Sequence, residues 1–115
     1  MFANTPWVSL VVGGWCAVNG VLHESAVIVK HEGPYDRDFL RLLLDGHILI
    51  TCGLMQMTAW VGLRSGAPWA FAVSGIATLS LLVYCGLIFP FLKSFVTIFL
   101  NAVLILFLAG AYLQK

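Results

Sequence analysis

The chain has 115 residues, of which 61% are hydrophobic and only 10% are charged, with a formal net charge of +1. Soluble domains carry about 25% charged residues, so this composition and the mean hydropathy of +0.98 argue against a soluble protein. The small net charge gives no reason to expect a nucleic-acid partner. The chain contains no Gly-rich phosphate loop, no GxSxG and no HExxH.

The hydrophobic residues form four runs, each long enough to cross a membrane as a helix, for which about 20 residues suffice. The predicted spans cover residues 6–29, 39–63, 69–89 and 94–112. The connection between the second and third spans is so short that these helices must be antiparallel neighbours. We therefore predict an all-α fold in which residues 1–115 form one transmembrane domain, a four-helix up-down bundle.

Several helix ends are marked by residues that favour them. Thr5 is a candidate N-cap for the first helix, and Pro68 suits the first position of the third. Between the first two spans lies the one strongly polar loop, residues 30–38. Asp36 or Asp38 is expected to cap the second helix, because a carboxylate suits the positive end of the helix dipole.

Four crossings place both termini on the same side of the membrane. Aromatic residues at the span ends on that side form the kind of belt that lies at a membrane interface. These residues are Trp7, Trp60, Trp69 and Tyr112. We call this the belt side, and we call the opposite side, with the polar loop, the loop side. The chain is expected to be a multi-pass protein of a bacterial inner membrane.

The direction of insertion stays open at this point. Basic residues are more numerous on the cytoplasmic side of membrane proteins. The belt side carries Arg64 and Lys115, and the loop side carries Lys30, Arg37, Arg41 and Lys93. The loop side has only two more basic residues than the belt side, and this difference does not decide the orientation.

All five acidic residues and all three histidines lie between His23 and His47, towards the loop side. Ionisable groups in hydrocarbon are costly, so they mark a site, a partner or a buried ion pair. Antiparallel packing of the first two helices would bring residues of both to a similar depth. These residues, which we call the polar cluster, are Asn19, His23, Glu24, Arg41, Asp45 and His47.

Four interpretations of the polar cluster follow from its chemistry. In the first, Arg41 and Asp45, four residues apart on one helix face, form an ion pair and the histidines are hydrogen-bond partners. In the second, the cluster binds the polar head of a quinone or lipid. Phe39, Tyr84 and Phe89 would then line an apolar slot for its tail.

The third interpretation is a metal site, because imidazole and carboxylate ligands suit zinc, iron or copper. Its candidate ligands are His23, Glu24, Asp45 and His47. No two histidines lie four residues apart on one helix, which weakens this interpretation. The fourth is proton or ion movement through Asp45 and His47, for which few titratable groups continue towards the belt side.

The junction of the second and third spans, GLRSGAPWA at residues 62–70, resembles that of small four-helix membrane proteins of the DoxX-like kind. In those proteins a short Arg/Gly turn precedes a Trp-Ala that opens the third helix. The resemblance implies a four-span layout, and some members are associated with quinone-linked or thiol-linked redox complexes. It bears on structural positions only and assigns no catalytic residue. These positions are Gly62, Arg64, Gly66, Trp69 and Ala70.

The parts of the chain outside the spans are too small to fold or catalyse alone. The leading hypothesis is therefore a small integral subunit of a larger energy-transducing or redox membrane complex, with lipids and other subunits or further copies as partners. It would supply helix contacts and part of a quinone or lipid pocket. One alternative is a self-contained redox or metal-dependent enzyme that uses the polar cluster, and another is a homo-oligomeric channel or transporter. Whether the chain is an enzyme stays open.

Overall fold

The structure, a computed structural model, describes residues 2–90 and 94–114. Within these ranges a 3₁₀ turn and four long α-helices follow one another. They are the turn Phe2–Asn4, α1 (Thr5–Lys30), α2 (Arg37–Leu63), α3 (Pro68–Ile88) and α4 (Phe95–Leu113). All four helices are long and apolar enough to cross a membrane, so the predicted all-α four-helix bundle is confirmed. Lys93 and Lys115, which entered the argument on orientation, lie outside the described residues.

The helix ends follow local signals closely, with one exception. Asp36 caps α2, since its Oδ1 accepts a hydrogen bond of 2.9 Å from the backbone N–H of Phe39. Pro68 is the first residue of α3, as predicted. Thr5, however, is not an N-cap but the first residue of α1. Its hydroxyl donates to the carbonyl oxygen of Phe2 at 2.6 Å and is thereby directed to the preceding turn.

Glycines allow α1 and α2 to approach each other closely. A Cβ atom added at Gly13 would lie 2.6 Å from the carbonyl oxygen of Gly53, and one at Gly20 would lie 2.6 Å from that of Gly46. Small residues at such positions permit the helix contact that stabilises membrane bundles. The second contact also positions Glu24, whose side chain lies beside Gly46.

The inside and the outside of the bundle are both apolar. The buried hydrophobic core takes residues from every helix, among them Val12, Ala59, Leu81 and Leu104. Large side chains such as Leu, Val and Phe are also exposed on the outer faces. In the apolar stretch of each span, no more than 33% of the residues are buried within the chain. The remaining surface is available to lipid or to other protein.

Aromatic contacts join the elements at the end of the bundle that holds the α2–α3 connection. The rings of Trp7 and Trp60 lie 5.6 Å apart, and the Arg64 guanidinium lies 4.6 Å from the Trp60 ring centre. At the same end, Phe2 packs edge-to-face on Phe107 with centroids 5.7 Å apart. The N-terminal turn therefore packs against the C-terminal half of α4.

Candidate functional site

The polar cluster lies on the half of the α1–α2 hairpin nearest the polar loop, but its members make separate contacts. His47 Nδ1 lies 3.8 Å from Glu24 Oε1, the only contact within 4.0 Å between a basic and an acidic side chain in the described part of the chain. The His47 side chain is 65% exposed and that of Glu24 is 27% exposed. This pair joins α1 to α2 on the outside of the bundle.

His23 is tied to α2 through a backbone group. Its Nε2 lies 3.1 Å from the carbonyl oxygen of Leu42. A carbonyl oxygen only accepts hydrogen bonds, so Nε2 must carry the hydrogen, and Nδ1 of the neutral ring is an acceptor. Asn19 does not join this contact, because its side-chain amide donates to the carbonyl oxygen of Trp15 at 2.8 Å on its own helix.

Arg41 and Asp45 do not form the predicted ion pair, since no such contact within 4.0 Å occurs among residues 2–90 and 94–114. Instead, Asp45 lines a groove together with Tyr84 of α3. Arg41 is exposed and lies one turn nearer the start of α2. A long basic side chain there can extend to the membrane surface, which takes the guanidinium away from Asp45.

Three open grooves surround these residues. The largest, which we call the loop-side groove, has a volume of about 580 Å³. It is lined by His23, Ala26, Val27, Lys30, His31, Glu32, Phe39 and Leu42. Within it, the His31 ring stacks on Phe39 with centroids 3.7 Å apart, while His31 Nε2 donates to the carbonyl oxygen of Pro34 at 3.0 Å. Basic and aromatic groups thus meet on an apolar wall.

The other two grooves share Asp45. One, of about 350 Å³, is lined by Asp38, Arg41, Leu42, Asp45 and Ile88. The other, of about 500 Å³, is lined by Leu44, Asp45, His47, Ile48, Thr51, Cys52 and Tyr84. The predicted slot of Phe39, Tyr84 and Phe89 does not form as a unit. Phe39 and Tyr84 line different grooves, and Phe89 packs edge-to-face on Phe95 at 5.4 Å.

The four candidate metal ligands are not gathered at one point. Glu24 contacts His47, His23 contacts a backbone carbonyl, and Asp45 lines a groove with Tyr84. Among the residues that the structure describes, no three His, Cys, Asp or Glu side chains are grouped so that they could hold a metal ion. The donor set is therefore divided over different faces of α1 and α2.

A second polar group, which the sequence did not predict, lies in the middle of the bundle. We call it the polar core, and its members are fully buried. They are Ser9, Gln56, Ser74, Thr78 and Asn101. Gln56 Nε2 donates to Asn101 Oδ1 at 2.8 Å and to Thr78 Oγ1 at 3.1 Å. One amide of α2 thereby connects α3 and α4.

The remaining contacts of the polar core include α1. Ser9 donates to the carbonyl oxygen of Gln56 at 2.7 Å, and its hydroxyl lies 3.2 Å from that of Ser74. Asn101 Nδ2 donates to the carbonyl oxygen of Thr97 at 2.9 Å and lies 3.6 Å from Cys16 Sγ. All four helices thus meet in one hydrogen-bonded network, which holds them in one register.

The sequence contained a signal for this network. Asn101 is a polar residue in the long apolar run of the fourth span. An amide in hydrocarbon is costly without a partner, so Asn101 and Gln56 at matching depths should face each other. The structure turns both inwards. Gln56 Oε1 is buried without a hydrogen-bond partner in the described part of the chain.

Comparison of the chain with known protein families, with curated proteins and with solved structures found no match. The resemblance of residues 62–70 to DoxX-like proteins therefore stays a prediction. The geometry establishes a multi-pass four-helix membrane protein with a closed polar core and, at one end, open grooves lined by ionisable residues.

Proposed function

We propose that this protein is a small integral subunit of a larger membrane complex, energy-transducing or redox in kind. It supplies helix contacts and part of a site for the head group of a quinone or lipid. One observation carries this proposal: four members of the polar cluster line open grooves on the outside of the bundle rather than an enclosed pocket, namely His23, Arg41, Asp45 and His47. An open groove encloses a ligand on one side only, and a neighbouring protein would supply the wall on the other side.

The depth of His47 supports a protein neighbour. His47 lies ten residues after Arg37, about 15 Å along the helix axis at 1.5 Å per residue. Its side chain is 65% exposed. Lys and Arg side chains near helix ends can extend to the membrane surface, but an imidazole is too short to do so from this depth. In hydrocarbon this exposed polar group is stabilised best by another protein that covers it.

The loop-side groove supports the head-group site. Its volume of about 580 Å³ falls within the range of small-molecule pockets, about 300–1,000 Å³. His23 Nδ1 offers an acceptor for a quinol hydroxyl, and the Lys30 ammonium offers donors for a quinone carbonyl or a lipid phosphate. Val27 and Phe39 form an apolar wall for the adjoining tail. A ligand could enter directly from the bilayer because the groove is open.

The contacts of the chain ends support a placement with both termini on the belt side. Phe2 lies against Phe107, and Trp7 lies against Trp60. Aromatic side chains at one end of a bundle are typical of the membrane interface.

The test is purification of the full chain, with a C-terminal tag, from its native membranes in mild detergent. We expect native electrophoresis and mass spectrometry to find the chain in a larger species with other polypeptides in fixed ratio. A homogeneous species that contains only this chain would contradict the proposal.

The head-group site is tested on the same preparation by extracting and identifying retained quinones and phospholipids. We expect a His23→Leu, Lys30→Met double variant to retain several-fold less of one of them. The matched control is Ser80→Ala, on the exposed face of α3. Equal retention by all three proteins would remove the loop-side groove from the proposal.

A further inference from the structure

Two of the open grooves join into one between α2 and α3, because Asp45 lines both of them. We call the joined space the α2–α3 groove. Its α2 wall has residues at spacings of four, three and four, which share one helix face. These residues are Arg41, Asp45, Ile48 and Cys52, and Tyr84 and Ile88 line the α3 side. The two parts, of about 350 and 500 Å³, each fall within the range of small-molecule pockets, about 300–1,000 Å³.

The α2–α3 groove changes from charged to apolar along its length. The 27 residues of α2 extend over about 40 Å at 1.5 Å per residue, so about 5 Å at each end lies outside a hydrocarbon layer of about 30 Å. Asp38 and Arg41, in the first turns of α2, therefore lie near the level of the lipid head groups. Ile48, Cys52 and the ring of Tyr84 lie deeper, beside the lipid tails. The groove thus follows the order of polarity in a phospholipid.

The charged residues in the upper part of the groove are not paired with one another. Asp38 and Asp45 lie three residues before and four residues after Arg41, spacings at which acidic and basic side chains of a helix can pair. In the described part of the chain, however, no carboxylate lies within 4.0 Å of the Arg41 guanidinium. All three side chains line the same part of the groove. They are therefore available to a ligand that carries charges of both signs.

We infer that the α2–α3 groove binds one phospholipid whose head group carries a primary ammonium, such as phosphatidylethanolamine. The Arg41 guanidinium binds the phosphate, since its planar set of donors matches phosphate oxygens. The Asp38 carboxylate, nearer the water, accepts hydrogen bonds from the ammonium. One acyl chain lies along the apolar part of the groove. Asp45, one turn deeper than Arg41, repels the phosphate and so keeps it at the level of the guanidinium.

The charges of the groove distinguish this ligand from other membrane amphiphiles. The upper part holds one guanidinium and two carboxylates. An anionic head group, such as that of phosphatidylglycerol, would face both carboxylates without offering them a cation. The uncharged head of a quinone would offer them no cation either. A head group with both a phosphate and an ammonium complements each sign of charge.

The inference deepens the proposed function and rests on it in one respect, that the open grooves of this bundle hold the head group of a membrane amphiphile. It names the class of lipid and places it in a groove other than the loop-side groove. It does not require a neighbouring subunit, so the two proposals can fail separately.

Lipid binding by the full chain, purified in mild detergent, tests the inference. The preparation is titrated with phosphatidylethanolamine or with phosphatidylglycerol of identical acyl chains, and native mass spectrometry measures the bound lipid. We expect several-fold tighter binding of phosphatidylethanolamine. Phosphorylethanolamine, which has the same head group without acyl chains, should bind far more weakly because it makes no contact with the apolar part of the groove. Equally tight binding of phosphorylethanolamine would overturn the assignment to a lipid.

Charge variants locate the site. Arg41→Gln should weaken the binding of both lipids several-fold, because it removes the phosphate contact. Asp38→Asn should reduce the preference for phosphatidylethanolamine, because it removes the ammonium contact. The matched controls are Arg37→Gln and Glu32→Gln, which change the charge equally but do not line the α2–α3 groove. Both controls should bind as the unmodified chain does, and helical content by circular dichroism excludes misfolded variants.

Three results would overturn the inference. The first is equal binding of the two lipids by the unmodified chain. The second is an equal loss in Arg37→Gln and Arg41→Gln, since that reports surface charge in general. The third is a preference that Arg41→Gln keeps and the His23→Leu, Lys30→Met variant loses. That result would place the lipid in the loop-side groove and leave the proposed function standing.

The composition of the purified species separates the inference from the proposed function. A preference that depends on Arg41, in a species that contains only this chain, supports the inference and overturns the proposed membership of a larger complex. Other subunits that co-purify with a chain without lipid preference overturn the inference and support that membership. An Arg41-dependent preference together with co-purifying subunits supports both.

Discussion

The polar core and the polar cluster both place polar side chains in an apolar bundle, but the core is uncharged and fully buried, whereas the cluster is mostly ionisable and lies towards the outside. In the polar core, Gln56 and Asn101 are fully buried and bond across all four helices. In the polar cluster, His47 and Arg41 are exposed on the outside of the bundle. Polar groups in a bilayer need partners. The chain supplies them itself in the centre, whereas under the proposed function another protein supplies them at the loop-side end.

The largest loss of stability is expected at the close contact between α1 and α2, because both the polar core and the polar cluster depend on it. Gly13→Leu places a side chain against the backbone of Gly53 and should destabilise the fold by about 3 kcal/mol or more, as severe overpacking does. Reversible unfolding in mixed detergent micelles, followed by circular dichroism, measures this loss. The adjacent Gly14 is the control, because a Cβ there meets nothing within 4 Å. If Gly14→Leu destabilised as much, the close α1–α2 contact would not be the cause.

A smaller loss is expected from breaking the polar core. Gln56→Leu removes the donor to Asn101 and Thr78, and a buried group left unpaired costs about 1–3 kcal/mol. Because replacing both partners by apolar groups is less harmful than replacing one, the Gln56→Leu, Asn101→Leu double variant should lose less than the sum of the two single losses. The same unfolding measurement gives this coupling. Additive losses would show that the two amides do not act as a pair.

The smallest effect on stability is expected in the polar cluster. His47→Gln removes the exposed contact with Glu24, and even a fully charged pair at an exposed site is worth only about 0–1 kcal/mol. The unfolding of the isolated chain should therefore change little, while the yield of the larger complex from native membranes should fall. Ser80→Ala, on the outer face of α3, should change neither quantity. If His47→Gln strongly destabilised the chain and left the yield of the complex unchanged, the polar cluster would serve folding rather than assembly.

The sequence by itself determined the number of helices and most of their ends. Backbone groups in hydrocarbon must be bonded within a helix, so four apolar runs of sufficient length become four helices. Asp36 and Pro68 act on the adjacent turn alone. The sequence predicted Pro68 at the start of α3 and left the cap of α2 open between Asp36 and Asp38. The prediction of Thr5 as an N-cap was wrong, because its hydroxyl bonds to the carbonyl oxygen of Phe2 in a turn that the sequence did not predict.

Only the tertiary structure decided which way each helix faces. In a soluble protein the apolar side of a helix is its buried side, but here the outer faces are as apolar as the core, so periodicity does not identify them. The rotation of α4 that turns Asn101 inwards therefore depends on contacts with three other helices. For the same reason Asp45 shares a groove with Tyr84 of α3 and does not pair with Arg41 on its own helix, since that neighbour is in place only once the bundle has packed.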